Sequence, residues 1–416
     1  MKGLEWYIAR RYLASRKRGR LLSLITWIAL GGVTVGVTAL IVVIGVMTGM
    51  QQDLRAKILG STPHVMVLQQ GSALRMEGWR ALLDTVRSTP DVVAASPFVL
   101  SSVSIRRQGV DYVQAAALYG VSTEALEAGV TEMEDSIRLG AYKLRPPPSG
   151  LPPVLVGGDL ANNLQLFIGD TLTVISTENL QPNMLGGLTP TVRLFEVTGT
   201  FTTGMYDYDS KNLYTTIAAA QDLLGLGEDV VSGLGVRTSN PDLATAVGEE
   251  IQSRLGFPYY VESWITTNRA LFSALKLEKL AMGLILFLIV LVAALNIIST
   301  LVMVVADRTR EIGILKAMGM TRKGILRVFV LQGAWIGLIG TALGTFFGIA
   351  VCVILDKTQL IKIPPDVYFV DHLPVQLDVA DLLKIVLASV AVAFAATIYP
   401  SLQASRLQPV EAIRHE

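Results

Sequence analysis

The sequence predicts an α+β membrane protein, with four transmembrane helices and a large mixed α/β domain between the first and second. The 416-residue chain is 51% hydrophobic and only 17% charged, with a mean hydropathy of +0.50, whereas soluble proteins have about 25% charged residues. A polar stretch, 53–279, is long enough to form a folded domain with its own core. Four stretches without charge each exceed the roughly 20 residues that cross a bilayer core: 21–52, 280–306, 328–355 and 385–405.

The four uncharged stretches predict spans because one Arg, Lys or Asp at a span centre costs about 2.5–3.5 kcal/mol. The first stretch is longer than the roughly 7–15 apolar residues of a signal peptide, so we expect it to remain as an anchor. No Asp, Glu, Lys, Arg or His lies in the interior of a span. Ion-coupled transporters use such residues, so ion-driven transport is disfavoured.

Basic residues near the membrane ends predict the orientation, because they are retained on the cytoplasmic side. Seven lie in 1–20 and six between Asp307 and Arg327, whereas 356–384 has three basic against five acidic residues. The predicted segments are a cytoplasmic start 1–20, span 21–52, outer domain 53–279, span 280–306, cytoplasmic helix 307–324, span 325–355, outer loop 356–384, span 385–405 and cytoplasmic tail 406–416.

Small residues recur at helical spacing in two spans. Such spacing lets another helix approach closely, so it predicts packing within one bundle. The residues are Gly32, Gly36, Gly45 and Gly49 in the first span, and Gly333, Gly337, Gly340, Gly344 and Gly348 in the third.

Composition and motifs disfavour several classes of function. A net charge of +1 gives no basic field to gather nucleic acid. The single Cys352 can form no internal disulfide. The chain has no phosphate-binding loop pattern and no G-x-S-x-G elbow. His64, His372 and His415 are scattered along the chain. We therefore expect no catalytic residue, no cofactor and no metal site in this chain.

The outer domain is predicted to mix strands and helices. Runs rich in β-branched and aromatic residues predict strands at 63–70, 97–107, 111–121 and 170–177. Helices are predicted at 77–87 and 240–256, the second with Asn240 as cap, Pro241 in the first turn and Gly256 as stop.

One segment of this domain, 178–190, is predicted to be a long loop with apolar side chains. A hairpin tip is normally short, yet this one carries Leu180, Met184, Leu185 and Leu188. These side chains either dock a partner or fold back onto their own domain.

A second segment, 308–319, predicts a short amphipathic helix at the cytoplasmic surface. Ile312, Leu315 and Met318 recur every three residues, with charged residues around them. Gly319 is a suitable stop and Thr321 a suitable cap for the next span. Such a helix either rests on lipid or docks as a lever into a soluble protein.

Four stretches carry a family resemblance that extends along the whole chain. The N-terminal region, with VMTGM followed by ILGSTPHV, resembles the LolC/LolE lipoprotein-releasing permeases. GGDLANNLQLFIGDTL (157–172), REIGILKAMGMTRKGI and YPSLQASRLQPVEAIR (399–414) are similar to the wider MacB-like permease superfamily. None of these stretches is a catalytic motif.

The resemblance implies a multi-pass protein of the bacterial inner membrane with its large domain in the periplasm. In this family two four-span permeases pair with two copies of an ATPase, LolD, which binds ATP and Mg. The complex moves lipoproteins from the outer leaflet to a periplasmic carrier, LolA. The expected partners are therefore a LolD-like ATPase dimer, a LolE-like second permease or a second copy, a LolA-like carrier, lipoproteins and membrane lipid.

The resemblance also implies three sets of site residues. The ATPase-coupling set is Arg310, Glu311, Ile312, Leu315, Lys316 and Met318. The carrier-binding hook is Leu180, Gln181, Pro182, Asn183, Met184, Leu185, Leu188 and Pro190. The lipid cavity is Val43, Met47 and Met50 in the first span, with Leu286 and Ile289 in the second.

Alternatives stay open at this point. A MacB-type efflux permease shares the plan but normally carries a fused N-terminal ATPase, which this sequence lacks. An FtsX-like regulator would have a smaller outer domain, and a passive receptor or scaffold would have no ATPase partner. VMTGM is typical of LolC and PHV of LolE, while the hook favours LolC. The subunit type and a homodimer or heterodimer of permeases are therefore left open.

Overall fold

The computed structural model describes residues 6–7, 20–71, 75–122, 130–131, 133–140, 144–182, 187–359 and 373–408. These residues divide into two compact units. A membrane unit contains the described residues up to 51 together with 275–359 and 373–408, and an outer unit contains those in 52–274.

The helices in the described part of the chain are α1 (Arg20–Ser61), α2 (Trp79–Arg87), α3 (Gly158–Leu164), α4 (Tyr206–Asp209), α5 (Ile217–Leu224), α6 (Ala244–Leu255), α7 (Trp264–Thr267), α8 (Arg269–Asp307), α9 (Thr309–Ala317), α10 (Arg322–Thr358) and α11 (Val379–Arg406). The strands are β1 (Val65–Gln69), β2 (Met76–Glu77), β3 (Val92–Arg107), β4 (Gln114–Val121), β5 (Ile137–Gly140), β6 (Pro153–Gly157), β7 (Thr171–Pro182), β8 (Leu188–Phe201), β9 (Asn212–Thr216), β10 (Val230–Val231), β11 (Gly233–Thr238) and β12 (Tyr259–Ser263).

The predicted fold class is confirmed. Of the described helices, α1, α8, α10 and α11 are long and apolar enough to cross a membrane, and the mixed α/β unit lies between the first and second of them in the chain.

The outer unit is built on a mixed sheet. Ten described strands form it in the order β12-β1-β11-β3-β4-β9-β6-β8-β5, with β7 pairing with both β3 and β8. The pairs β4/β9 and β6/β8 are parallel, and the remaining pairs of this sheet are antiparallel. Side chains from the sheet and from α2, α3, α5 and α6 form one apolar core.

The helix predicted at 240–256 illustrates how local sequence sets an element. The Asn240 side chain accepts a hydrogen bond from the Asp242 backbone N–H at 2.9 Å, so it caps the first turn. The helix ends at Leu255, where Gly256 takes a φ of +64°, a left-handed value that favours glycine.

The glycines of α10 contact two different helices. A Cβ on Gly333 would lie 2.1 Å from Thr397 Cγ2, and one on Gly337 would lie 2.5 Å from Ala393 Cβ, both in α11. Gly340, Gly344 and Gly348 instead approach Val33, Val37 and Ile41 of α1. The prediction that these glycines serve helix packing is therefore confirmed.

The helices extend beyond the uncharged stretches. α1 continues through Asp53 and Lys57 to Ser61, and α11 already begins at Val379. The reason is that charge marks the edge of the bilayer core, whereas a helix satisfies its backbone in water as well. The segment 178–190, predicted as a loop, consists of strand in most of its described part, because β7 and β8 continue into it.

Candidate functional sites

Helix α9 lies between α8 and α10 in the chain and is fixed to the bundle by its apolar face. Ile312 is fully buried. It packs in a cluster with Val304 and Val305 of α8, Ile325 and Phe329 of α10, and Ala404 of α11. Because this cluster draws on three spans, displacement of α9 has to disturb the packing of all of them.

Lys316 adds a polar attachment to the same face. Its Nζ donates to the backbone oxygens of Ser405 at 2.7 Å and Leu407 at 2.5 Å. The last carbonyls of a helix have no partner within that helix, so the ammonium group caps the end of α11. Burial, followed by the positive charge of Arg322, lowers the pKa of Lys316 below its usual value.

The opposite face of α9 is exposed. Arg310, Glu311, Ile314 and Met318 lie there, with Met318 79% exposed and Ile314 45% exposed. Glu311 accepts from Arg308 Nη1 at 2.8 Å. Of the six predicted coupling residues, Arg310, Glu311 and Met318 are therefore available to a partner. Ile312 is buried, and Leu315 and Lys316 are half-buried. The sequence did not predict Ile314 as a contact residue, because it lies outside the three-residue repeat of Ile312, Leu315 and Met318.

An apolar crevice lies between α1 and α8. Its cavity volume is about 500 Å³. Gly32 and Gly36 form part of its α1 wall and expose backbone there, and Asn296 is the polar residue of the lining. The other lining residues are Val35, Ala39, Ile285, Leu288, Ile289, Val292 and Ala293.

Of the five predicted cavity residues, Ile289 lines this crevice. Met47 and Leu286 are buried, and Val43 and Met50 are half-buried elsewhere on their helices. Asn296 and the two glycines were not predicted to line a cavity. The glycine spacing was visible in the sequence, but it indicated packing rather than an opening.

The third candidate site is a β-ribbon, which we define as the paired ends of β7 and β8, residues 180–182 and 188–190. Leu180 pairs with Pro190, Gln181 with Thr189, and Pro182 with Leu188. All of these side chains are exposed, Leu180 by 43% and Leu188 by 66%. The predicted hook residues Asn183, Met184 and Leu185 lie outside the described residues.

The outer unit also holds an apolar pocket of about 260 Å³, which the sequence did not indicate. Tyr119, Tyr208 and Tyr214 form part of its wall. Burial, with smaller contributions from Tyr119 and Asp207, raises the pKa of Tyr208 to about 12. Its hydroxyl is therefore neutral at physiological pH. Within the described ranges no three His, Cys, Asp or Glu side chains group so as to hold a metal ion.

Comparison with protein families finds two matches that together cover most of the chain. The MacB-like periplasmic core domain family matches residues 26–254, and the FtsX-like permease C-terminal family matches residues 283–409. With four apolar helices and an α/β domain after the first, these matches define a MacB-type membrane permease.

Individual relatives identify the family within this class of permeases. The chain is 33% identical to the lipoprotein-releasing system transmembrane protein LolC of Neisseria meningitidis, over 100% of both chains. It is 32% identical to LolC of Xylella fastidiosa and 26% identical to LolE of Haemophilus influenzae, each over 98% of both chains. The chain belongs to the LolC/LolE family of lipoprotein-releasing permeases. It is a multi-pass inner-membrane protein whose outer unit is a periplasmic domain.

Proposed function

We propose that this chain is the permease subunit of an ATP-driven transporter that takes lipoproteins from the outer leaflet of the inner membrane and passes them to a LolA-like periplasmic carrier. The observation that carries the proposal is the apolar crevice between α1 and α8. It is an acyl-chain-compatible surface in a chain whose relatives are named for lipoprotein release.

The energy of lipid transfer explains why a carrier is needed. Each buried CH₂ contributes about 0.8 kcal/mol, so three acyl chains of roughly sixteen carbons would cost on the order of 40 kcal/mol to expose to water. One nucleotide hydrolysis cannot supply that. The chains must therefore pass from one apolar surface to another. A second permease, LolE-like or a second copy, would close the open side of the crevice.

The exposed face of α9 is the proposed contact for the motor. Arg310, Glu311, Ile314 and Met318 would touch a LolD-like ATPase dimer, which binds the ATP and Mg. The buried Ile312, together with Lys316, which caps the end of α11, ties α9 to three spans. A push on α9 would thus be passed to α8, one of the two helices that form the crevice.

The ribbon is the proposed contact for the carrier. Its apolar side chains are exposed, as Leu180 and Leu188 show, and exposed apolar groups on a periplasmic domain favour a protein partner. The predicted hook residues Met184 and Leu185 follow the first strand of the ribbon and precede the second in the sequence.

The crevice is tested by filling it. Gly32→Leu places a side chain in the cavity beside Asn296. We expect lipoprotein release from spheroplasts to fall at least about tenfold, with the complex still assembled. Gly31→Leu is the matched control, because nothing lies within 4 Å of a Cβ at Gly31. Normal release by Gly32→Leu would overturn the proposed role of the crevice.

The carrier contact is tested with the purified complex in detergent. Changing Met184, Leu185 and Leu188 to Asp should abolish capture of a LolA-like carrier and leave the ATPase activity in place. The control changes three exposed apolar residues of the same unit, Val93, Leu139 and Leu243, to Asp. Retained capture by the ribbon variant would refute the contact.

A further inference from the structure

The root of the ribbon contains an irregularity in strand pairing. Ser176 of β7 pairs with Thr191 of β8, and the next pair is Leu180 with Pro190. Thr177, Glu178 and Asn179 therefore have no partner residue across the hairpin. Extra residues of this kind bend a strand and change its direction. This bulge separates the buried part of β7 from the exposed ribbon.

The first attachment of the bulge to the body of the outer unit is the Glu178 carboxylate. Glu178 Oε1 accepts from Ser101 Oγ at 2.6 Å, and Oε2 forms an ion pair with Arg75. Arg75 in turn donates to Ser232 Oγ at 2.8 Å. Ser101 and Ser232 are buried and the Arg75 side chain is 15% exposed, so the attachment points are held by packing.

A second contact holds the other side of the bulge. Thr191 Oγ1 donates to the Asn179 backbone oxygen at 2.6 Å. The Asn179 amide lies against Gly225, where a Cβ would come within 2.4 Å of Nδ2. Asn179 is thus fixed to β8 and to the turn after α5, whereas Glu178 is fixed to β3 and to Arg75.

Beyond the bulge, the described pairs of the ribbon join its two strands to each other. Both of its strands are exposed, and an isolated two-stranded hairpin is only marginally stable in water. The described side-chain contacts that can set its direction lie at the root, at Glu178 and Asn179. Charge-assisted hydrogen bonds are the stronger class of hydrogen bond, and Glu178 provides them at the point where β7 bends.

We propose that Glu178 is a positioning residue that fixes the direction of the ribbon for docking of the carrier. The docking part rests on the proposed function, whereas the direction of the ribbon can be measured without any carrier. A ribbon with a fixed direction loses less conformational entropy on docking, since a partner that is already in its bound geometry binds more tightly.

The direct test measures the spread of ribbon positions in the full-length chain. Spin labels are placed at Gln181→Cys and Ser253→Cys, both exposed in the outer unit, with the buried Cys352 changed to Ala. Double electron–electron resonance then gives the distance distribution. We expect a narrow distribution for the parent, a broad one for Glu178→Ala and an intermediate one for Glu178→Gln, which keeps an acceptor for Ser101 and loses the charge.

The matched control is Asp222→Ala. It breaks the ion pair with Arg193 on β8, 2.8 Å long, and leaves the bulge intact. We expect its distance distribution to match that of the parent. A distribution for Glu178→Ala as narrow as the parent's would overturn the proposal.

The second readout is the Kd of the carrier. Glu178→Ala should raise it about tenfold although every apolar ribbon residue is unchanged. A broad distribution with an unchanged Kd would also overturn the proposal, because the direction would then not matter for docking. If the parent binds no carrier, the proposed function fails, and the distance measurement still decides whether Glu178 fixes the ribbon.

Discussion

Helix α9 and the β-ribbon are both short segments that carry apolar side chains among polar ones, and they are attached in different ways. The nine-residue α9 is attached along its length, through buried Ile312 and through the two hydrogen bonds of Lys316. The ribbon has its described side-chain attachments at its root, through Glu178 and Asn179.

This difference shows what each segment is suited to do. A segment fixed along its length transmits displacement to the helices beneath it. A segment fixed at one end presents both faces to a partner. The apolar residues accordingly have different roles, since Ile312 holds α9 to the spans while Leu180 and Leu188 remain exposed.

The largest effect should come from the inner face of α9. Ile312→Ala removes a fully buried side chain, so we expect the free energy of unfolding to fall by about 2–5 kcal/mol. Ile314→Ala, on the exposed face, should change it by no more than about 0.5 kcal/mol. Unfolding by SDS in a mild detergent, followed by circular dichroism, measures both. Equal losses for the two variants would break the distinction between the faces of α9.

The second largest effect on stability should come from the polar attachment of α9 at Lys316. Lys316→Met leaves the backbone oxygens of Ser405 and Leu407 without their charged donor. Hydrogen bonds to charged groups contribute about 1.5–3 kcal/mol, so we expect a loss of that order in the same unfolding assay. Lys323→Met, an exposed change in the first turn of α10, is the control. A loss no larger than that of the control would show that the cap of α11 is not stabilising.

Substitutions in the ribbon should affect binding of the carrier and not the stability of the protein. Replacing Leu180 and Leu188 with Asp should change the free energy of unfolding by no more than about 0.5 kcal/mol, because both side chains are already exposed. Carrier capture in a pull-down should be lost. A fall in stability comparable to that of Ile312→Ala would instead show that the ribbon folds back onto its own domain.

The smallest effect on stability should come from the exposed face of α9. Glu311→Gln weakens its pair with Arg308, which is worth about 0.2–0.5 kcal/mol at such helical spacing. We expect a larger effect on coupling, measured as the stimulation of ATPase activity by lipoprotein. Unchanged stimulation would argue against this face as the motor contact.

The spans were predictable because the cost of a charge at the bilayer centre excludes charge from them. The ends of the membrane helices were not predictable. Asp53 and Lys57 of α1 lie outside the uncharged stretch and are still helical. The outer unit was predictable in its local elements, such as the capped helix after Asn240. The pairing order of its strands depends on contacts far apart in the chain, which periodicity does not contain.

The sequence predicted which segments form the candidate sites. It was less successful in predicting the individual residues of each site. At 3.6 residues per turn, each step of three residues falls short of a full turn, so Met318 lies about 120° from Ile312 around α9. The inner face therefore holds the buried Ile312 with the half-buried Leu315 and Lys316, and Ile314 lies outside. The crevice depends on which sides of α1 and α8 meet, and only Ile289 of the predicted set is there. Glu178 gave no signal, because a charged residue in a polar segment is unremarkable.

The division of the α10 glycines between two neighbours limits how this helix can move. Gly333 and Gly337 fit against α11, while Gly340, Gly344 and Gly348 fit against α1. Sliding α10 along its axis would drive larger residues into both neighbours at once, since a Cβ at any of these glycines would lie within 3 Å of the neighbouring helix. A small tilt that pivots at one of the two contacts keeps that contact and separates the other, so it meets less steric resistance than sliding does.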